Sequence, residues 1–454
     1  MVTGMDFRGK KVTILGLGRE GKALARYLSQ EGAEVTVSDI KSEEDLRERK
    51  EELAGLPLRF LLGGHPPEIL ESETILVSPG VPLEIPILAE AGQQGIPLES
   101  ETRLFFARCP APIIGITGSS GKTTTTALVG EMLRTEGFGT FVGGNIGRPL
   151  IDRLEEITPQ DKVVLELSSF QLELMTQSPH IAAVLNITPN HLDRHPSMSA
   201  YIKAKANIVR YQREEDWAVL NGDDPIARTL AGKCPGQVAI FGWKEVEGAF
   251  LQGQDILIRL GGREQRVCRL DDIKLRGKHN IYNVMAASLV AHLAGANPQA
   301  MRFAIRHFTG IEHRLELVRE LRGVHYYNDS IATSPERTVA ALSSFAEPIL
   351  LLAGGRDKGL PIDRMAELIR QKVRYLVLFG EAAAKIEGAV LEKGPQSPRP
   401  EITHAASMEE AVEVAAGRAR RGEVVLLAPG CTSFDMYRDF AARGEHFKEL
   451  VNRL

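Results

Sequence analysis

Gly118-Ser119-Ser120-Gly121-Lys122-Thr123 is the stretch whose residue types and spacing carry the most chemistry. Apolar Pro112-Ile113-Ile114 run toward it as a strand, and a helix is expected to open at Lys122 and continue through Thr124. Such a turn aims several backbone N–H groups at one place, and the helix N-terminus adds partial positive charge. Lys122 would then meet the β- and γ-phosphates of a nucleoside triphosphate, and the Thr123 hydroxyl would be a Mg²⁺ ligand. Position 116 is Ile, so the spacing G-x-x-x-x-G-K-[ST] is not met; the match is the tighter G-x-x-G-K-T. The bland alternative is a strand–turn–helix with a stray surface lysine. The apolar strand before the loop and the threonine run after it favour phosphate.

A second constellation follows. Glu166-Leu167-Ser168-Ser169-Phe170-Gln171 comes directly after apolar Val163 to Leu165. An acid at a strand end beside a phosphate loop suits Mg²⁺, which needs oxygen partners beyond the phosphates. Asn186 ends the next apolar run, and Asn190-His191-Leu192-Asp193-Arg194-His195 comes just after it. His191 and Asp193 are thereby delivered to the same sheet edge, where ligands bind in such folds. An exposed loop histidine without a role is the alternative. Lys205 falls in Tyr201–Ile208, which reads as helix. A lysine beside a cation site runs against electrostatics, unless its amine is deprotonated and carries CO₂ as a carbamate. A solvated lysine is the commoner state.

A third pattern, Gly16-Leu17-Gly18-Arg19-Glu20-Gly21, fits G-x-G-x-x-G after a strand, with Asp39 ending the second strand. Alone it suggests an NAD-dependent oxidoreductase. Physically it specifies a tight turn, a close backbone approach to a diphosphate and a helix N-terminus aimed at it. Any nucleotide diphosphate satisfies that, and the phosphate loop further on weighs against a nicotinamide cofactor.

These side chains need parallel strands to present them. Val12–Leu15, Glu34–Ser38 and Thr74–Val77 read as strands of a first α/β unit, the last stopped by Ser78-Pro79-Gly80. A second unit opens near Ile113, with strands at Val163–Leu167, Ala182–Asn186 and Trp217–Asn221. Alternating residues from Ala249 to Val267 around Gly261-Gly262 suggest a β-hairpin, and Asn280 to Ala294 a helix. The third unit has a strand ending at Tyr326-Tyr327, a helix start with Ser334 as N-cap and Pro335 in the first turn, and strands at Pro348–Ala353, Arg374–Phe379 and Val424–Ala428. Strand–helix alternation implies an α/β chain with mostly parallel sheets. The expected domains are 1–100, 101–310 and 311–454: N-terminal Rossmann-like, central phosphate-loop ATPase with a small hairpin region, and C-terminal Rossmann-like.

Length and composition set the bounds. The 454 residues suffice for two to four domains, and 43% apolar with 25% charged is ordinary for a soluble globular protein. A net charge of −4 gives no basic footprint for nucleic acid, and no apolar run approaches a membrane span. No signal peptide is read at the N-terminus. Cys109, Cys234, Cys268 and Cys431 are too scattered for a zinc site or a disulfide framework, so a reducing cytoplasm is expected. The polar surface without a long apolar patch leans toward a monomer.

Taken in order, these motifs resemble the Mur ligase family over essentially the whole chain. The carriers are G-L-G-R-E-G, Ser78-Pro79-Gly80, G-I-T-G-S-S-G-K-T-T, Gly143 to Gly147, E-L-S-S-F-Q-L-E from Glu166, and H-L-D-R from His191. They continue with Tyr201 to Lys205, Gly277 to Asn280, His313-Arg314, Asn328 to Ser330, and Pro429 to Ser433. E-L-S-S-F-Q-L-E and H-L-D-R match the branch that adds D-glutamate. The resemblance implies ATP-dependent ligation of D-glutamate to UDP-N-acetylmuramoyl-L-alanine in peptidoglycan precursor synthesis, with Mg²⁺ as cofactor (two ions). By position it implies that Gly118 to Thr124, Asn280, Arg314 and Asp329 meet ATP. It implies Thr123, Glu166, His191 and carbamylated Lys205 at the metal, with Lys122 completing the catalytic set. Gly16, Gly18, Arg19, Asp39, Ser78, Pro79, Gly80, Asn145 and Ser168 would face the UDP-sugar, and Thr333, Lys358, Ser433 and Phe440 the D-glutamate. Ile331 departs from the lysine that many members carry there. Other Mur ligases and folylpolyglutamate synthase share the ATPase core, although the N-terminal glycine fingerprint argues against the folate enzyme. An NAD(P)-dependent oxidoreductase and a slow ATP-hydrolysing switch are the readings from other classes.

Overall fold

The computed structural model describes residues 6–191, 194–392 and 399–454; Asp193, expected beside His191, lies outside them. The strands form three sheets. In the first, β1 (Lys11–Leu15), β2 (Glu34–Asp39), β3 (Leu58–Leu62), β4 (Thr74–Val77) and β5 (Leu98–Glu99) run in the order β3-β2-β1-β4-β5, all parallel. Reversal of strand order at β1 makes a crevice at its carboxyl end, where the glycine loop begins.

The central sheet has β6 (Ile113–Thr117), β7 (Thr140–Gly144), β8 (Lys162–Glu166), β9 (Ile181–Val184), β10 (Trp217–Asn221), β11 (Gln237–Gly242), β12 (Gly248–Gln252), β13 (Asp255–Leu260) and β14 (Arg263–Arg269). Their order is β14-β13-β12-β11-β10-β9-β6-β8-β7. β6 lies between β8 and β9, parallel to both. It is buried throughout and runs to Thr117, three residues past the apolar Pro112-Ile113-Ile114, because Gly115, Ile116 and Thr117 continue the pairing with β8 and β9. The expected hairpin is three antiparallel strands, because the chain also turns at Gly253, in the left-handed region with φ +62°.

The third sheet comprises β15 (Glu316–Leu321), β16 (Val324–Asn328), β17 (Ile349–Gly354), β18 (Val373–Phe379), β19 (Glu401–Ala405) and β20 (Val424–Gly430), in the order β15-β16-β20-β17-β18-β19. Only the edge strand β15 is antiparallel. Along β20, Val424, Leu426 and Ala428 enter one core while Val425 and Leu427 enter another, as expected of a sheet covered on both faces. Ser334 precedes the helix Pro335–Ser343 but makes no side-chain cap; the Arg337 N–H that it would accept is taken by its own carbonyl.

The chain divides into two compact units. One holds the first two sheets, up to Ile273, together with His279–His307. The other holds the third sheet from Phe308 onward and, with it, the strap Lys274–Lys278. Arg276 pins the strap: Nε donates to the Tyr327 hydroxyl, the guanidinium pairs with Glu347, and it lies 5.1 Å and 5.4 Å from the centres of the Tyr327 and Phe345 rings. Among the described residues no helix is long and apolar enough to cross a membrane.

Candidate active site

The phosphate loop leaves β6 and enters the helix Lys122–Glu136, as its sequence demands. Gly121 caps that helix at φ +82°, and a Cβ there would collide with Oδ1 of Asn283. Only glycine suits both constraints. Asn283 in turn donates to Asn280 Oδ1 at 2.8 Å, so the helix Lys278–Leu293 brings Asn280 toward the loop. Asn186 braces the other side: its Oδ1 accepts from Ser120 N at 2.9 Å and its backbone carbonyl from Ser119 N at 2.9 Å. The Ser119 hydroxyl donates to the Thr188 carbonyl at 2.9 Å and lies 3.0 Å from the Tyr201 hydroxyl. Lys122 Nζ donates to the carbonyls of Gly118 (2.9 Å) and Ser119 (3.4 Å), which holds its charge in the mouth of the loop. Thr123 is half-buried and Thr124 buried at the start of the helix.

Lys205 is buried, contrary to the usual solvated lysine. The helix Met198–Arg210 brings its Nζ to the Thr117 hydroxyl at 3.1 Å and the Gly118 carbonyl at 3.0 Å. Burial, and then the nearby Lys122 charge, hold its ammonium well below the usual lysine range, while Glu166 acts in the opposite direction. Glu166 ends β8, beside β6. Its Oε1 accepts from Asn145 Nδ2 at 2.9 Å; its Oε2 is buried with no hydrogen-bond partner among the described residues. An anionic oxygen in that state calls for a cation, so the acid fits Mg²⁺. His191 is exposed at φ +54°, its ring 5.2 Å edge-on from Phe170. His195 is buried behind it, stacked on Phe170 at 5.0 Å and 2.9 Å from the Ser169 hydroxyl.

The glycine loop lies in the same unit. Gly16 has φ +91°, and a Cβ on Gly21 would collide with the Gly16 carbonyl. Asp39 fastens the loop: Oδ2 accepts from Leu17 N at 2.8 Å and Oδ1 from Lys41 N at 2.9 Å. The Ser78 hydroxyl donates to the Gly16 carbonyl at 3.0 Å, and Pro79-Gly80 follow. Gly18 caps the helix Arg19–Gln30. Arg19 reaches the Gly147 carbonyl at 2.9 Å, and Arg194 the Gly80 carbonyl at 3.2 Å. Ser168 and Gln171 form a capping box on the helix Ser169–Glu173.

In the other unit, three loops leave the carboxyl ends of the adjacent strands β16, β20 and β17. Asp329 follows β16; its Oδ1 accepts from Leu315 N at 3.0 Å, and burial pushes its carboxyl up to about 6 against the pull of Arg314 and Arg337. Thr333 lies two residues past Ile331, whose carbonyl accepts from Arg337 at 2.9 Å. Ser433 is buried after β20, and the loop there pairs with the loop after β17 through Arg356 and Thr432. Lys358, in the latter loop, is exposed. Phe440 opens the last helix, Phe440–Arg453. Arg443, which sequence reasoning missed, is 0% exposed and joins these parts: Nε donates to the Ser330 hydroxyl at 3.0 Å, NH2 to the Ser330 carbonyl at 2.9 Å, and NH1 to the Cys431 and Thr432 carbonyls at 3.3 and 3.2 Å. The Ser330 hydroxyl donates onward to the Phe440 carbonyl at 2.7 Å. Glu312, His313 and Glu445 also offer three ligand atoms within 4.8 Å of one another. Lys448 Nζ, 3.3 Å from Glu312 and 3.1 Å from Glu445, already supplies the cation there.

Comparison with known proteins is consistent along the whole chain. Residues 10–100 match the MurD-like N-terminal domain of Mur ligases, residues 116–291 the Mur ligase middle domain, and residues 313–431 the Mur ligase glutamate ligase domain. The UDP-N-acetylmuramoylalanine–D-glutamate ligase of Symbiobacterium thermophilum is 47% identical over 98% of both chains. The chain belongs to the Mur ligase family. The Acetivibrio thermocellus ligase of the same description is 43% identical over 98% of this chain and 97% of that one. Among solved Mur ligases, the UDP-N-acetylmuramate–alanine ligase MurC of Thermotoga maritima superposes with a TM-score of 0.59 at 20% identity, over 98% of this chain and 99% of that one, a likeness of fold.

Proposed function

We propose that this chain joins the L-alanyl carboxylate of UDP-N-acetylmuramoyl-L-alanine to the amine of D-glutamate, with ATP as the driving reactant. The observation that carries the reading is the unpartnered, buried Glu166 oxygen one strand from a lysine-bearing phosphate loop. A carboxylate does not acylate an amine, because oxide would have to leave. Attack of a carboxylate oxygen on the γ-phosphorus, with ADP departing, makes an acyl phosphate. The amine of D-glutamate then attacks the acyl carbon, a proton is lost, and phosphate leaves. Two anions must meet in the first step, so fixed positive charge governs the barrier.

Lys122 and the backbone of Gly118 to Thr124 hold the phosphates in this reading. Mg²⁺, when bound, would supply charge neutralisation for that step. Thr123, Glu166 and His191 would hold it, and we assign two ions. The depressed Lys205 amine supports a carbamate at that position: a neutral amine is the form that adds CO₂, and the product is an anion beside the metal ligands. We assign the UDP-sugar to residues 1–100 through Gly16, Gly18, Arg19, Asp39 and Ser78 to Gly80, with Asn145 and Ser168 on the muramoyl-peptide path. ATP falls to residues 101–310, with Asn280. In residues 311–454, Arg314 and Asp329 serve ATP, and Thr333, Lys358, Ser433 and Phe440 serve D-glutamate.

The test is phosphate release from ATP and Mg²⁺ with UDP-N-acetylmuramoyl-L-alanine, each candidate amino acid being added in turn. Release that requires D-glutamate, with a matching amide product, is expected. Release driven by another amino acid would keep the family and overturn the substrate; no release with any would overturn the ligase reading.

A further inference from the structure

One buried acid has no part in that chemistry. Glu20 is the second residue of the helix Arg19–Gln30, inside the glycine loop motif, and only 8% exposed. Its Oε1 accepts from Gln171 Nε2 at 2.8 Å, and its Oε2 is buried with no hydrogen-bond partner among the described residues. These partners are 151 residues apart in sequence. The bond therefore ties the first sheet's loop to the helix that follows β8.

Gln171 is itself 2% exposed, and the two ends of its amide are not interchangeable. The oxygen end accepts from Ser168 N at 2.9 Å and from the Ser168 hydroxyl at 3.0 Å. The nitrogen end has Glu20. Turning the amide over would set its NH₂ against the Ser168 N–H and its oxygen against a carboxylate, losing the contacts at both ends. An accepting oxygen at position 20 thus fixes which way Gln171 faces. Burial pushes the Glu20 carboxyl up to about 7, and either protonation state leaves an oxygen able to accept.

We propose that Glu20 is a positioning residue for the UDP-sugar substrate: by accepting from Gln171 it orients that amide and holds Ser168 in place, linking the glycine loop to the strand end that carries Glu166. This rests on the assignment of Ser168 to the muramoyl-peptide path. The experiment compares full-length Glu20→Leu, which removes the acceptor, with Glu20→Gln, which keeps one. Hydrogen exchange at the Ser168 amide is read without any substrate. It should quicken about tenfold in Glu20→Leu and stay near wild type in Glu20→Gln, as loss of one buried hydrogen bond implies. The KM for UDP-N-acetylmuramoyl-L-alanine should rise about tenfold in Glu20→Leu, with the KM values for ATP and D-glutamate within about twofold, because only one substrate path is disturbed. Glu20→Ala gives the same two readouts if the leucine variant does not fold. Unchanged Ser168 exchange, or a KM rise shared equally by all three substrates, overturns the proposal. Absence of turnover in the wild type would overturn the ligase reading, and the exchange result would still decide the role of Glu20 at Ser168.

Discussion

Lys205 is held in surroundings that oppose its charge, with the Lys122 charge nearby and little solvent to help. Lys205→Ala should lower turnover about a hundredfold, the scale of losing a transition-state charge contact, and added short carboxylic acids should restore part of it. Full activity without additives would end the carbamate assignment. Lys122→Ala should leave no measurable ATP turnover. Lys122 and Glu166 were legible in the sequence because a motif fixes their place relative to a strand. Arg443 was not legible: on a helix with mixed polar residues an arginine looks like solvated surface, and only the fold reveals four carbonyl and hydroxyl contacts around it. Burial pulls its guanidinium down to about 10, so it remains charged at neutral pH. Lysine cannot reproduce the fork. Arg443→Lys should cost about 1.5–3 kcal/mol of stability, the range for hydrogen bonds made by a buried charged group, and should raise the KM for D-glutamate more than that for the UDP-sugar. A denaturation midpoint and the two KM values check this.

At the scale of elements, the central parallel strands announce themselves as short apolar runs stopped by glycine, proline or asparagine, which is how β1, β4, β8, β9, β10, β17, β18 and β20 were legible within a residue or two; of β6 only the start was legible, because Gly115 to Thr117 read as loop. Strands such as β3, β5, β7 and β19 were not, because partial exposure or brevity leaves their pattern mixed. The helix Glu101–Arg108 hides another feature with no sequence signal. Glu101 begins it buried; burial, joined by the Glu20 and Asp152 charges, pushes the carboxyl from its ordinary 4.5 up to about 8. The folded state thus binds a proton that the unfolded chain releases. This contribution to stability is complete below about pH 4.5 and is lost as pH rises through about 8. Glu101→Gln cannot ionise. Its melting temperature relative to wild type should therefore increase between pH 5.5 and pH 8.5, by the equivalent of about 1.4 kcal/mol per pH unit at most. Glu20 shifts in the same direction and should leave a residual slope in the variant. Parallel pH profiles for the two proteins would overturn the account.

Across the whole molecule, three sheets were readable from strand–helix alternation, while their gathering into two units was not. Residues that fasten the strap within its unit, such as Arg276, Tyr327 and Glu347, are far apart in sequence and have no motif. Arg276→Ala should lower the melting temperature of the full chain by several degrees, consistent with loss of about 1–3 kcal/mol of buried charge-assisted hydrogen bonding and ring contact. Calorimetry would detect it, and an unchanged melting temperature would mean the strap is held by something else. The strap also governs how the gene can be divided. The unit that carries the third sheet owns five residues encoded before the stretch His279–His307, which belongs to the other unit. No single cut yields both units whole. A fragment starting at Phe308 uncovers Tyr327 and Phe345 and leaves Glu347 without Arg276, whereas one starting at Lys274 carries helices severed from their packing partners. Shuffling modules between relatives of this chain therefore requires two exchanged segments, not one.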